Sequence, residues 1–385
     1  MTDELVYIDD QAGLDKLVEL LEGATQIAID LEFDKNHYTY GFNICLIQLF
    51  DGQKCYLIDP LTVANLSTLF KIFEDPSVEL VTFAFGEDFK LLHHLGCAPT
   101  NITDLSTVRS LLNHGQSSLT NVLIDELDIH SSKDFQRSNW CLRPLSEDQK
   151  LYAAEDVTFL FRLKDKLMKE LVDMNRLTWL TDEKLLLEAS SGETPADFNS
   201  TYFKELKIMS LPQWERFKTL VEFREKHSKR LNKPTYKVMD RELLTYFALK
   251  NDFKGWSSQN RIHPSLKKES AVKELQLAMN QTNELIIENE ISDSQPARQP
   301  LTHIEKVTHS KKKLLIHQLS EEVLVPIKNV ITENYGEQLS TFMLSKRMME
   351  KLIVGEMKLP SYRMNIIKEC AESFGLPAEK LDFLK

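Results

Sequence analysis

Cysteine is scarce in this chain. Its 385 residues include only Cys45, Cys55, Cys97, Cys141 and Cys370. No two of these are spaced C-x-x-C, which excludes a zinc ribbon or a redox dithiol of that pattern. Long apolar runs are also missing: none approaches the roughly 20 residues that a membrane-spanning helix needs. The first residues, Met1-Thr-Asp-Glu-Leu5, are acidic and lack the basic and then apolar pattern of a secretory leader. The expectation is therefore a cytoplasmic protein with reduced thiols. A phosphate-cradling G-x-x-x-x-G-K-[ST] loop is absent too, so nothing marks a nucleotide-driven motor.

Positive charge is in deficit overall, with a formal net charge of −11, but the deficit is local. Residues 1–190 hold 16 Lys and Arg against 32 Asp and Glu, whereas residues 201–270 hold 16 against 8. An acidic half joined to a basic module suggests metal chemistry in one part and phosphate attraction in the other. A regional fluctuation in an acidic protein fits the same numbers.

Hydrophobic periodicity divides the chain in the same way. Residues 1–185 alternate strand and helix signals, which predicts an α/β domain with a mixed sheet. Strands are expected over 5–8, 26–33, 44–50, 54–58 and 78–85. Helices are expected over 10–22, 66–73, 88–95, 105–112 and 119–127, and as one long helix over 146–174 that opens on a Ser146/Gln149 capping box. A two-residue Asp51-Gly52 turn would set Cys55 opposite Gln48, so Cys45 and Cys55 are not expected to pair. From about residue 200 the strand signals stop. Residues 200–281 and 312–385 read as all-α bundles, separated by a linker over 282–311.

Three stretches carry the chemistry. In Gln26-Ile-Ala-Ile-Asp-Leu-Glu-Phe-Asp34, strand alternation puts Ile27, Ile29, Leu31 and Phe33 on one face and Ala28, Asp30, Glu32 and Asp34 on the other. Carboxylates at i and i+2 can hold one hard cation, or simply make a solvated face. Asp88 falls where a strand passes into a helix, a place that collects functional residues in open α/β sheets and one that acidic residues favour as caps. Tyr152 and Asp156, four apart on a helix, point the same way, and Ala153 and Ala154 leave room beside them.

Together, and in this order, these stretches resemble the DEDD exonuclease superfamily, and within it ribonuclease D, over roughly residues 1–185. Asp30 and Glu32 match its Asp-x-Glu strand, Asp88 its second motif, and Tyr152 with Asp156 its Tyr-x-x-x-Asp motif. Gln136-Arg137-Ser138, Trp140 and Arg143-Pro144-Leu145 look like the signature that precedes that last motif. The resemblance implies a ribonuclease H-like fold and two divalent cations, Mg2+ or Mn2+, held by Asp30, Glu32, Asp88 and Asp156, with Asp30 bridging and Tyr152 orienting a water. Two such ions about 3.5–4 Å apart stabilise the attacking and leaving oxygens of a phosphodiester displacement. It further implies 3′→5′ hydrolysis of RNA with a free 3′ end, release of nucleoside 5′-monophosphates, and transfer RNA precursors among the substrates. A DNA exonuclease and an inactive nucleic-acid-binding protein are the alternatives. Arg137 and Arg143 either clamp a phosphate or pair with structural carboxylates such as Asp134; Trp140 reads as packing.

Residues 209–281 resemble an HRDC domain, a helical nucleic-acid-binding module, through Leu211, Trp214, Phe223-Arg224-Glu225, Leu231-Asn232-Lys233-Pro234, Val238, Asp240 and Leu243-Leu244. Its candidate phosphate contacts are Lys226, Lys229, Arg230, Lys233, Lys237 and Arg241. Residues 314–382 look like a second, diverged copy, with Ser361-Tyr362-Arg363 where the family has Gly-Trp-Arg; this copy is expected to pack on the nuclease domain.

Overall fold

A computed structural model of the chain describes residues 5–130, 135–136, 138–190 and 197–384. Arg137, Lys133 and Asp134 lie outside the described residues. The first part comprises β1 (Leu5–Ile8), α1 (Gln11–Leu20), β2 (Gln26–Lys35), β3 (Phe42–Phe50), β4 (Cys55–Ile58), α2 (Ser67–Phe73), β5 (Glu79–Thr82), α3 (Gly86–His94), β6 (Ile102–Asp104), α4 (Leu105–Leu111), α5 (Leu119–Leu127), α6 (Glu147–Thr158), α7 (Leu160–Asp173) and α8 (Leu177–Ala189). The sheet order is β1-β4-β3-β2-β5-β6. β2, β3 and β4 pair antiparallel, while β1 on β4, β5 on β2 and β6 on β5 are parallel. This is the expected mixed α/β sheet.

Alternation along β2 builds both layers. Ile27, Ile29 and Leu31 enter a core with residues of α1, α2 and α3, while Ala28 enters the opposite core with residues of α4, α6 and α7. Each fully buried Leu or Ile contributes roughly 1.5–3 kcal/mol relative to exposure, which holds the strand's orientation against a one-residue slip.

Three expectations need correction here. The β3–β4 loop is four residues long, so Cys55 pairs with Phe50 and Leu57 with Gln48. The Asp51 carboxylate accepts from the Gln53 and Lys54 backbone N–H groups, both at 2.7 Å, and closes that longer loop. The long helix breaks at Phe159; just before it, the Thr158 hydroxyl donates to the Ala154 carbonyl, a side-chain bond that bends helices. Residues 282–311 are largely helical rather than a linker, and only 289–302 are non-helical. The capping box of Ser146 and Gln149 is present. All five cysteines are free thiols, and among the described residues no helix is long and apolar enough to cross a membrane.

The remainder is helical. α9 (Phe198–Thr201), α10 (Phe203–Ile208), α11 (Leu211–Leu231), α12 (Thr235–Val238), α13 (Arg241–Lys250) and α14 (Glu269–Glu288) close around a core of their own that includes Trp214, Phe217, Phe247 and Trp256. α15 (His303–Leu319) runs through a π-helical turn, Ser320–Leu324, into α16 (Val325–Tyr335). α17 (Glu337–Met343), α18 (Lys346–Ile353) and α19 (Ser361–Ser373) follow. Among the described residues this second bundle shares its core: Val323, Ile327, Leu339, Ile366 and Ile367 lie in one cluster with Leu105, Leu163 and Leu180. Gly336 is required at the join. Its φ is +98°, and a Cβ there would fall 2.0 Å from the Asn113 amide nitrogen. Asn113 in turn accepts from the Leu339 N–H at 3.0 Å.

Candidate active site

β2 delivers the first two carboxylates. Asp30 lies opposite Gln48 of β3 and Glu32 opposite Leu46, and a bulge between Glu32 and Phe33 then breaks the alternation. α6 lies across β2, β3 and β4 and brings Asp156 to the same face. Oxygen atoms of Asp30, Glu32 and Asp156 all lie within 4.8 Å of one another. Asp88, in the first turn of α3, is buried. It stands outside that tight group, but its charge is felt at Glu32 and that of Asp30 is felt at Asp88. The Asp88 Oδ1 atom is buried without a hydrogen-bond partner.

A strained junction aims Asp88. Ala84, between β5 and α3, has φ +57°, a conformation costly for a residue with a Cβ. The Asp104 carboxylate holds it by accepting from the N–H groups of Ala84 (2.9 Å) and Phe85 (3.0 Å). The same carboxylate caps α4 through Ser106. Sequence reading missed Asp104; its only signal was a cap-forming residue ahead of an apolar stretch.

The electrostatics follow from this crowding. Burial, then the charge of Asp156, raises the Asp30 carboxyl well above its ordinary range. Burial, then Asp30, Asp156 and Asp88, does the same to Glu32. Burial and Asp30 raise Asp88. Asp156 is pushed up to about 7 by burial and by Glu155. Among the described residues no lysine or arginine pairs with any of the four. Tyr152 packs near Trp140 and Phe135, with ring centroids 6.1 and 6.3 Å away. Burial and then the charges of Asp156, Glu32 and Asp30 hold its hydroxyl protonated above the ordinary phenol range. Four carboxylates with one orphaned oxygen and no compensating cation are the donor set that a hard divalent ion takes.

Asp34 has a different task. It is buried and accepts from the N–H groups of His37 (3.1 Å), Tyr38 (3.0 Å) and Thr39 (2.7 Å) and from the Thr39 hydroxyl (2.6 Å). Burial alone would raise its carboxyl, but these donors outweigh that and hold it below the usual range. The loop it anchors, 36–41, meets the first helical bundle. Tyr236 donates to the His37 carbonyl at 3.0 Å, the Tyr40 N–H to Asn232 at 3.3 Å, and the Asn36 amide to Thr235 at 3.4 Å.

The basic candidates separate. Arg143 is structural, not a phosphate clamp: it forks onto Asp59 and donates to the carbonyls of Trp140 (2.8 Å), Leu142 (2.8 Å) and Cys45 (2.6 Å). These contacts use all five guanidinium N–H groups. Arg241 is held by its own partners, forking onto the buried Glu205 and donating to the Thr201 carbonyl through Nε and Nη2. Lys226 pairs with Glu274 at 2.8 Å, and Arg230 meets His227 at 3.0 Å. Lys229, Lys233 and Lys237 are exposed, and the Lys237 ammonium sits 5.9 Å from the Tyr38 ring. Trp140 is buried, as packing requires.

Comparison with known proteins fits this geometry. Residues 5–172 match the 3′-5′ exonuclease family. Ribonuclease D of a Shewanella species is 30% identical over 212 residues, covering 54% of this chain and 53% of its own. The exosome complex exonuclease RRP6 of Saccharomyces cerevisiae is 30% identical over 174 residues, covering 45% of this chain and 24% of its own. The chain thus spans about half the length of the first of these relatives and a quarter of the second. The crystal structure of Escherichia coli RNase D, described as an exoribonuclease involved in structured RNA processing, shares the fold with a TM-score of 0.67 at 22% identity, over 96% of this chain and 99% of that one. By these matches residues 5–172 are similar to the 3′-5′ exonuclease domains of ribonuclease D and its relatives.

Proposed function

We propose that the protein is a metal-dependent 3′→5′ exoribonuclease that releases nucleoside 5′-monophosphates from RNA with a free 3′ end. The observation that carries this reading is the convergence of Asp30, Glu32 and Asp156 oxygens within 4.8 Å, beside a buried Asp88. In this reading Asp30, Glu32 and Asp156 would hold divalent cations, with the buried Asp88 as a further ligand. When bound, divalent ions such as Mg2+ or Mn2+ supply Lewis acidity toward the attacking water and the departing 3′ oxygen. The protonated Tyr152 hydroxyl orients that water, and Trp140 and Phe135 fix the ring. The first bundle, residues 200–281, acts as an HRDC-like RNA-binding module. It abuts the loop that leaves the Asp30 strand, and its exposed Lys229, Lys233 and Lys237 attract the phosphates of the incoming strand. The second bundle, 312–385, buttresses the nuclease domain. Transfer RNA precursors and other stable RNAs in the cytoplasm are the proposed substrates.

The test is digestion of 3′-labelled RNA and of DNA with the same sequence, after chelation and then metal add-back. Release from RNA should stop with chelator and return with Mg2+ or Mn2+. Asp30→Asn should lower turnover on the order of 10²–10³-fold with the fold intact. Activity that survives chelation would sink the metal role, and equal release from DNA would remove the RNA preference.

A further inference from the structure

The apolar run of β3, Ile44-Cys45-Leu46-Ile47-Gln48-Leu49-Phe50, is interrupted by one polar residue. Gln48 is fully buried, at 0% exposure. Neither its amide nitrogen nor its amide oxygen has a hydrogen-bond partner. A buried amide left in that state is costly, so its place in the fold calls for a ligand.

The strand register says which one. Gln48 lies directly opposite Asp30, and residues directly opposite in an antiparallel pair project to the same face with Cβ atoms about 4.5–5.5 Å apart. The neighbouring pairs confirm the face. Leu46 opposes Glu32, and Phe50 opposes Ala28; Leu46, Phe50 and Ala28 all enter the core that also holds Ala153 and Val157 of α6. Gln48 therefore sits at the floor of the carboxylate cluster, beneath the helix that carries Asp156. Asp30 already receives the Leu31 backbone N–H, and a carboxylate offers about four acceptor positions.

We propose that Gln48 is a positioning residue for this cluster: its amide N–H donates to the Asp30 carboxylate when a divalent cation draws the carboxylates together. The inference rests on reading the cluster as a metal site. The residue type fits the task. A lysine or arginine here would neutralise the carboxylates and compete with the cation. A fifth carboxylate would add repulsion, and an apolar residue would leave Asp30 free to turn. An amide orients a ligand without changing the charge of the site, as groups behind metal ligands commonly do.

The test uses the full chain with Gln48→Leu and Gln48→Met, and measures Mn2+ binding by electron paramagnetic resonance and calorimetry without nucleic acid. Binding should weaken about ten- to hundredfold, while the melting temperature of the chelated protein stays at the wild-type value or rises, because an unpartnered amide has been removed. The unbranched Met variant answers the question if Leu disturbs the strand. Mn2+ affinity within twofold of wild type, in a variant with wild-type melting, would overturn the role of Gln48 alone. Wild-type protein that takes up no Mn2+ would overturn the metal reading itself, and this proposal with it.

Discussion

Glu183 on α8 and Arg363 on α19 form a buried ion pair, with 2.7 Å between the Arg363 Nη2 and Glu183 Oε1 atoms. Tyr362 donates to the same carboxylate oxygen at 2.6 Å, and Trp179 stacks on Tyr362 with centroids 5.0 Å apart. The second bundle is thus joined to the α/β domain through charges that water does not reach. Removing one partner strands the other, so Arg363→Ala should cost about 3–5 kcal/mol. Arg363→Met combined with Glu183→Leu should recover most of that loss. Chemical denaturation of the two variants checks the prediction, and a single variant as stable as the double would contradict it.

Tyr152 tests the chemistry apart from the ions. Its hydroxyl stands in the field of Asp156, Glu32, Asp30 and Glu155. Tyr152→Phe should lower kcat on the order of a hundredfold and leave KM and Mn2+ affinity near wild type. A rise in KM at unchanged kcat would assign the residue to RNA binding instead.

Asp156 gives the site a pH signature in chelator. Its folded pKa, about 7, lies above the unfolded value near 3.9. The folded protein therefore holds the proton more tightly, and the associated stability is present at low pH and lost as pH rises through about 7. Asp156→Asn removes the Asp156 share of the cluster's titration. Relative to wild type, its melting temperature in chelator should climb between pH 5 and pH 8. Divalent ions should stabilise wild type most at the alkaline end. A wild-type-to-variant difference that stays flat across this range would be evidence against a raised Asp156.

The surface lysines and Arg241 should behave in opposite ways. Lys229→Ala, Lys233→Ala and Lys237→Ala combined should reduce the salt slope of single-stranded RNA binding by about 2, at roughly 0.7 per phosphate contact, with melting unchanged. Arg241→Ala should instead destabilise the first bundle, because it leaves Glu205 buried and unpaired. Equal salt slopes for wild type and the triple variant would take these lysines out of the RNA path.

The carboxylate strand was legible because its pattern has a two-residue period: Ile27, Ile29 and Leu31 had to face a core, which left Asp30 and Glu32 on the other side. Tyr152 and Asp156 were legible from helical spacing. The β3–β4 register was not, because Asp51 closes a four-residue loop with its side chain, and Asp51-Gly52 alone also suits a tighter turn. The roles of Arg143 and Arg241 were hidden for a related reason. A cation looks the same in sequence whether it meets a phosphate or a distant carboxylate, and Asp59 and Glu205 lie 84 and 36 residues from their arginines. Gln48 left a trace, a lone amide in an apolar strand, but its opposite number became visible only with the register. The helix at the far end of 282–311 left little trace: α15 has no buried residue, so no apolar stripe announces it.

The shared core has a consequence for how the chain is made. The first bundle carries a complete interior of its own and can close as soon as it leaves the ribosome. The α/β domain cannot finish in that way, because Leu105, Leu163 and Leu180 wait for Val323, Leu339 and Ile366 to complete their cluster. At roughly 5–20 residues per second, that wait is on the order of ten seconds. During that time an apolar flank stays open while a finished module sits between it and its cover. Chaperone demand should therefore be set by the spacer between the two halves of this interior, and shortening the intervening module would hasten maturation of a domain it does not belong to.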